Sequence, residues 1–374
     1  MEFNRKMTKH KYIHLFSGKV TQFHRALIDV LTREENGFDK AEHLFVTVNK
    51  EAYEELKETA NIVWAVGETK LTAKVINECA KKCDWLFIHN LSCAPIEVLK
   101  IKNTARKKII WRTWGSDAGI DENQGGKIKR IIKKFINFFY KRVIRGFYAV
   151  GISNTVDRID ITKRYGNVKT RYVSYANKAA CESRLKIKPY VKKDGEPLNI
   201  LLGHSGFPND NHISVLKKLK KYADQNICVH IVLSYGDAGY IEKVKQYAVE
   251  TLGGKANIIS ERMPYDEYLE MLSKIDVAVL DGTKSYALGN LGALLFLEKK
   301  MVLNIKGVLK EAFDVDGIPY ITTEDIGALS FEDFARPFVY EKANNGIKYK
   351  QYEHYVQNWK NLFDELDAAS RKAN

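Results

Sequence analysis

The sequence predicts an α/β protein made of two doubly wound, parallel-sheet domains in tandem. Short apolar runs alternate with amphipathic stretches along the chain. The runs lack polar alternation, as expected of strands buried on both faces. The scheme occurs twice, either side of a charged, proline-containing stretch without periodicity, and 374 residues exceed what one core usually supports.

In the first half, strands are expected at 12–16 (YIHLF), 43–48 (HLFVTV), 61–66 (NIVWAV), 84–90 (DWLFIHN), 108–114 (KIIWRTW) and 147–153 (FYAVGIS). Helical patterns such as EAYEELKETA and LTAKVINECAKKC lie between them. The second half repeats this, with strands at 199–203, 227–236, 257–263, 276–281, 301–305 and 318–322. Its helices are expected at 211–223, 239–252, 265–275 and 289–300. The alternation gives parallel sheets covered by helices. The expected divisions are a Rossmann-like domain at 1–183, a linker at 184–198, a second Rossmann-like domain at 199–345, and a helix at 346–374 crossing back to the first. The two domains should face each other across a cleft, with ligands outside the carboxyl ends of the strands.

No apolar run reaches the roughly 18–20 residues of a spanning helix. Met1–Lys11 is polar and basic with no hydrophobic segment after it, so no signal peptide is expected and a cytosolic protein is. The five cysteines form no CxxC pair, which indicates neither a disulfide framework nor a zinc site, and Cys79 and Cys83 are expected to be buried.

Charge is unevenly placed. Residues 1–190 hold 37 Lys and Arg against 20 Asp and Glu, whereas the remainder holds 23 against 26. Such a surplus points to an anionic partner: nucleic acid, a bilayer or a substrate. It is concentrated in 126–146, which has eight basic residues and no acid. On a helix, Ile128, Ile131, Ile132, Phe135, Phe139 and Val143 share one face, and Phe138 and Ile144 widen it. With Lys129, Arg130, Lys133, Lys134, Lys141 and Arg142 around that face, the segment suits an anionic membrane surface. The alternative is a domain helix with its stripe in the core. No nucleic-acid module pattern accompanies the charge, so nucleic acid is not an expected partner.

The strand-end loops of the second half suggest a nucleotide-diphosphate site. Gly203, Ser205 and Gly206 follow a strand and precede a helix start at Asn211, where backbone N–H groups and a hydroxyl can meet an anion. A tight turn with a routine cap is the other reading. Gly289, Asn290 and Gly292 open a further helix with free amides. Tyr235 and Gly236, Met263, and Tyr265 and Tyr268 end or follow two more strands, and the tyrosines are placed to frame a base or sugar. Neither a GxGxxG nor a Walker spacing is present.

The segments LLGHSGFPNDNH, LSYG, MPYDEYLEML and the WGSD of 114–117 resemble the bacterial TDP-N-acetylfucosamine:lipid II N-acetylfucosaminyltransferase family, glycosyltransferase family 56. The likeness runs from about Tyr12 to Pro337. It implies a GT-B-like architecture and transfer of a deoxyamino sugar from a nucleotide diphosphate to a lipid-diphosphate-linked oligosaccharide. The place implied is the cytoplasmic face of the inner membrane. Such a reaction needs stabilisation of the departing diphosphate, which glycine-loop amides can supply, and no DxD stands at a strand end, so no metal or other cofactor is expected. An inverting transfer also needs a base for the acceptor hydroxyl. Asp117, in RTWGSDAG after an apolar strand, is the leading candidate, with His24 and His89 as alternatives; an Asx-turn role is the bland reading of Asp117. Arg112, Trp114 and Gly115 are assigned to the acceptor together with these histidines. A transferase with another donor and acceptor, a nucleic-acid-binding protein using the basic N-terminal half, and a non-catalytic nucleotide-sugar binder are the rival readings.

Overall fold

The structure is a computed structural model, and it describes residues 7–114, 117, 119–120, 126–188, 190–284, 288–340 and 351–373. The chain forms two compact units, one of Met1–Lys178 with Tyr352–Asn374 and one of Ala179–Gln351.

The first unit is built on a parallel sheet of β1 (His10–Phe16), β2 (His43–Thr47), β3 (Ile62–Trp64), β4 (Cys83–His89), β5 (Ile109–Arg112), β6 (Ala149–Ile152) and β7 (Thr170–Tyr172), in the order β3-β2-β1-β4-β5-β6-β7. The second is built on β8 (Leu198–Leu202), β9 (Ile227–Val232), β10 (Ala256–Ile259), β11 (Val277–Leu280), β12 (Lys300–Leu303) and β13 (Ile321–Thr322), ordered β10-β9-β8-β11-β12-β13. Both are doubly wound. Each order reverses beside its first strand, which opens a crevice at the carboxyl ends of β1 and β4 in one sheet and of β8 and β11 in the other. The short edge strand β7 has no apolar run, and its residues are half-buried or exposed, so sequence pattern did not reveal it. A helix at Lys178–Lys186 runs into the stretch expected to be a linker. Cys79, in the helix Ala73–Lys81, and Cys83, at the start of β4, are both fully buried.

Alternate residues of a strand face opposite ways, and the two faces of the first sheet differ in chemistry. Ile13, Leu15, Leu44, Val46, Leu86 and Ile88 form an aliphatic core. Tyr12, His14, His43 and Phe87 make the other face, and the helix Tyr352–Ala373 covers it. Phe363 packs on Tyr12 at 4.4 Å and on His43 at 5.1 Å between ring centres, and Trp359 on Phe87 at 5.5 Å. Polar contacts fix the helix in register. The Tyr12 hydroxyl donates to Asp367 at 2.6 Å, Lys11 pairs with the same carboxylate at 2.7 Å, and Trp359 Nε1 donates to the Ser174 carbonyl at 3.1 Å.

No helix among the described residues is long and apolar enough to cross a membrane. Trp359 is 1 % exposed, so Trp359→Ala should destabilise the first unit by about 3–5 kcal/mol. Urea denaturation of the full chain, followed by tryptophan fluorescence and circular dichroism, measures this loss.

Candidate active site

In the second unit, the loop after β8 is closed by its own chain. Gly203 N–H continues the ladder to Val279, and Gly206 N–H donates to the Tyr235 carbonyl at 2.6 Å. His204 and Ser205 N–H both donate to Asp210 Oδ2, at 3.2 and 2.9 Å, and the Ser205 hydroxyl donates to the same oxygen at 2.8 Å. Burial opposes the Asp210 charge, but the hydrogen bonds from His204 and Ser205 prevail and hold its carboxyl below the usual range. The nest expected to receive a phosphate therefore holds an internal carboxylate. This corrects the role assigned to Ser205, which is 1 % exposed.

The glycines of this edge are required for packing. Gly203 has φ +69°, and a Cβ there would lie 2.4 Å from His212 Nε2. Gly206 and Gly236 pair directly across the β8 and β9 loops, and a Cβ on Gly236 (φ +144°) would lie 2.3 Å from the Gly206 carbonyl carbon. They are not openings for a ligand. Asn211 also turns inward. It adopts φ +56°, and its amide donates to Asp281 at 2.6 Å instead of capping the helix His212–Leu219. Asp281 is buried, which raises its carboxyl above the usual range despite hydrogen bonds from Thr323 and Asn211.

The neighbouring strand ends form a more open cluster. Phe207, Tyr235 and Tyr265 are 48, 40 and 43 % exposed. Arg262 stacks over the Tyr235 ring at 5.3 Å, and Met263 is half-buried in the same β10 loop. Tyr268 packs near Tyr235 and Tyr265, and its hydroxyl accepts from Asn290 Nδ2 at 2.8 Å. Burial raises the Tyr268 phenol above its ordinary value. Asn290 lies in the first turn of the helix Leu288–Phe296, where Gly289 is exposed with nothing within 4 Å of a Cβ. Arg184 lies alongside, with Nη1 3.6 Å from the Cβ position of Gly292. The structure thus brings together Tyr235, Tyr265, Tyr268 and Asn290, and adds Arg184, Arg262 and Phe207. Sequence reasoning passed over both arginines because neither lies in a glycine loop.

At the carboxyl edge of the first sheet, Asp117 is saturated. Its Oδ2 accepts from Leu91 N–H at 2.6 Å and Trp111 Nε1–H at 2.9 Å, and Oδ1 accepts from the Thr113 hydroxyl at 2.9 Å and Trp114 N–H at 2.7 Å. These four internal donors occupy both carboxylate oxygens and fasten the loop, so Asp117 is corrected from base to loop clamp. Arg112 is likewise engaged: Nη1 is 3.3 Å from Asp157, and Nη2 donates to Ser153 at 3.0 Å. Its charge is neutralised within the fold and is not held out for an acceptor phosphate. Gly115 lies outside the described residues.

Around these clamps the other candidates converge. Tyr175, just beyond β7 and missed by sequence reasoning, accepts from Trp114 Nε1 at 3.0 Å and bonds His89 Nδ1 at 2.8 Å. From His89 the chain continues to His14 at 3.2 Å and His43 at 3.1 Å, all within the buried aromatic face. Burial pushes His14 and His89 well below the usual histidine range and His43 down to about 4, so these imidazoles are neutral. His24 lies tilted against Trp114 at 5.1 Å between ring centres, and Phe23 stands edge-on to Trp114 at 5.6 Å.

The model of the 4-alpha-L-fucosyltransferase family, glycosyl transferase group 56, matches residues 8–367. The chain belongs to this family. As a member, it is a nucleotide-sugar-dependent glycosyltransferase. Its fold is that of GT-B enzymes. An alpha,alpha-trehalose-phosphate synthase (UDP-forming) from Burkholderia vietnamiensis superposes with a TM-score of 0.62 at 8 % identity, covering 98 % of this chain and 99 % of that one. A sucrose-phosphate synthase from Thermosynechococcus elongatus gives 0.59 at 9 % identity over 96 % and 100 % of the two chains. A glycosyltransferase from Rickettsia africae gives 0.57 at 16 % over 94 % of each. Among the described residues, no group of three or more His, Cys, Asp or Glu is placed to hold a metal ion.

In this glycosyltransferase Asp117→Asn turns amide hydrogens toward donors that need an acceptor. It should destabilise the first unit by about 1–3 kcal/mol, read by thermal unfolding. Any transfer that remains should keep the wild-type pH profile, whereas loss of a base would remove one of its limbs.

Proposed function

We propose that this enzyme transfers a deoxyamino sugar of the N-acetylfucosamine type from a dTDP- or UDP-linked donor to a glycan carried on a lipid diphosphate. It works as a peripheral protein at the cytoplasmic face of the inner membrane, in cell-surface polysaccharide synthesis. The family's description as fucosyltransferases supports a deoxy sugar.

The lipid-linked acceptor rests on one observation. In the helix Lys127–Ile144, Val143 and Ile144 enter the core, but Ile128, Ile131, Ile132, Phe135, Phe138 and Phe139 are 76, 67, 52, 66, 64 and 38 % exposed. Soluble surfaces rarely leave such a contiguous apolar stripe uncovered. Eight basic residues and no acid in 126–146 favour an anionic bilayer as the occupant. Moving each side chain out of water contributes up to roughly 1.5–3 kcal/mol, and each nearby basic residue about 1 kcal/mol.

The donor is assigned to the second unit. The amide end of the helix Leu288–Phe296 and Arg184 receive the diphosphate, and Tyr235, Tyr265 and Tyr268 frame the base or sugar. The acceptor hydroxyl attacks the anomeric carbon, the bond from that carbon to the diphosphate oxygen breaks, and the hydroxyl proton passes to the departing diphosphate. Amides and guanidinium stabilise the charge that develops on the leaving group, so no metal is required.

A thermal-shift series of nucleotides and nucleotide sugars in EDTA tests the donor. A dTDP or UDP species at a hundredfold its Kd should stabilise the protein by about 2.7 kcal/mol. Stabilisation by oligonucleotides alone overturns the reading. For the membrane, flotation with liposomes should need anionic lipid and should weaken when Lys133, Lys134, Lys141 and Arg142 are all changed to Glu. Equal flotation by that variant counts against it.

A further inference from the structure

His24 Nε2 is a buried nitrogen without a hydrogen-bond partner, and its ring lies between the buried Phe16 and the half-buried Trp114. The other nitrogen of the ring is committed. Thr21 N–H donates to His24 Nδ1 at 3.1 Å and closes a capping box at the start of the helix Gln22–Thr32. A nitrogen that accepts from a backbone N–H carries a lone pair, so in the neutral ring the hydrogen sits on Nε2. Burial lowers this histidine to about 4, and the ring is neutral at physiological pH. His24 thus presents an N–H on the edge facing away from the helix start. In this tautomer Nε2 has no lone pair with which to take a proton.

The surrounding rings indicate what the N–H meets. His24 lies 4.3 Å from Phe16 and 5.1 Å from Trp114 between ring centres. Trp114 is half-buried, and Phe23, 43 % exposed, packs against both Trp114 and Tyr175 at 5.6 Å. The nearby cation, Arg112, is paired with Asp157. Aromatic faces beside one neutral donor fit the C–H face of a pyranose with an oxygen on the donor; they do not fit a phosphate. A buried N–H without an acceptor costs stability that such an oxygen restores.

We infer that His24 is a hydrogen-bond donor to the acceptor glycan, its Nε2–H holding a hydroxyl or ring oxygen of a pyranose laid against Trp114 and Phe23. This deepens the acceptor reading of the first unit and rests on it. It also removes His24 from the candidates for the base.

The test uses the full chain labelled with ¹⁵N-histidine, without nucleotide, titrated with methyl glycosides of hexoses and of 2-acetamido hexoses. The free protein should show His24 as the Nε2–H tautomer, and at least one glycoside should shift that resonance saturably. In His24→Asn the amide oxygen replaces Nδ1, so the Thr21 contact survives but the distal donor is gone. Affinity for that glycoside should fall at least about tenfold. His24→Gln places an amide nitrogen near Nε2 and should stay within about threefold of wild type even though it loses the cap. A purely structural His24 gives the reverse pattern: His24→Asn binds normally, and His24→Gln is merely less stable. An Nδ1–H tautomer, a His24 signal unmoved by every glycoside, or equal affinity of His24→Asn and wild type overturns the inference. Failure of the transferase reading would appear separately, as nucleotide sugars that do not bind in a titration containing no glycoside.

Discussion

A buried carboxylate must be surrounded by donors or forced to give up its charge, and three aspartates impose that constraint on the edges where ligands would sit. Asp117 gathers two backbone amides, an indole and a hydroxyl from the ends of β4 and β5. Asp210 folds the β8 loop around itself, and Asp281 holds Asn211 and Thr323 across the reversal of strand order. Each carboxylate is internally satisfied by the donors it gathers. The same satisfaction removes its amides from use by a substrate. What is left to recognise substrate comes from groups beside these clamps, such as Trp114, whose N–H donates to Asp117, and from separate pairs such as Asn290 and Tyr268.

The fold was legible because it is written in local patterns. The continuous apolar runs at β1, β4, β8 and β11 are the strands buried on both faces, and the periodic stretches between them are the covering helices. The strand β7 was invisible for the converse reason: half-exposed at an edge, it needs no apolar run. In the site, the tyrosines after β9 and β10 were legible as strand-end residues. The meaning of the glycines was not. Gly203 and Gly206 follow a strand as phosphate-loop glycines do, yet their missing Cβ atoms make room for His212 and Ile241. Local sequence tells that a backbone comes close to something, and only the tertiary partner tells to what. Asp117 is the same case, since the donors on Leu91 and Trp111 come from residues that no spacing rule connects to it.

The charge surplus of the first half divides between two uses. Part of it is internal: Arg171 and Lys169 meet Glu365, and Lys11 meets Asp367, so basic residues of the sheet hold an acidic helix from the far end of the chain. The other part, on the helix Lys127–Ile144, meets no such acid within its own sequence. Basic residues beside a complementary helix are structural, whereas those of the helix Lys127–Ile144 stand beside exposed isoleucine and phenylalanine.

The first unit is assembled from both ends of the polypeptide, with residues 179–351 inserted between them. During synthesis at about 5–20 residues per second, the aromatic face of β1, β2 and β4, complete at His89, waits roughly 13–53 s before the segment that covers it, beginning at Tyr352, leaves the ribosome. The later unit has all its strands in hand before then. The first unit's packing is thus completed only after every strand of the second unit has been made.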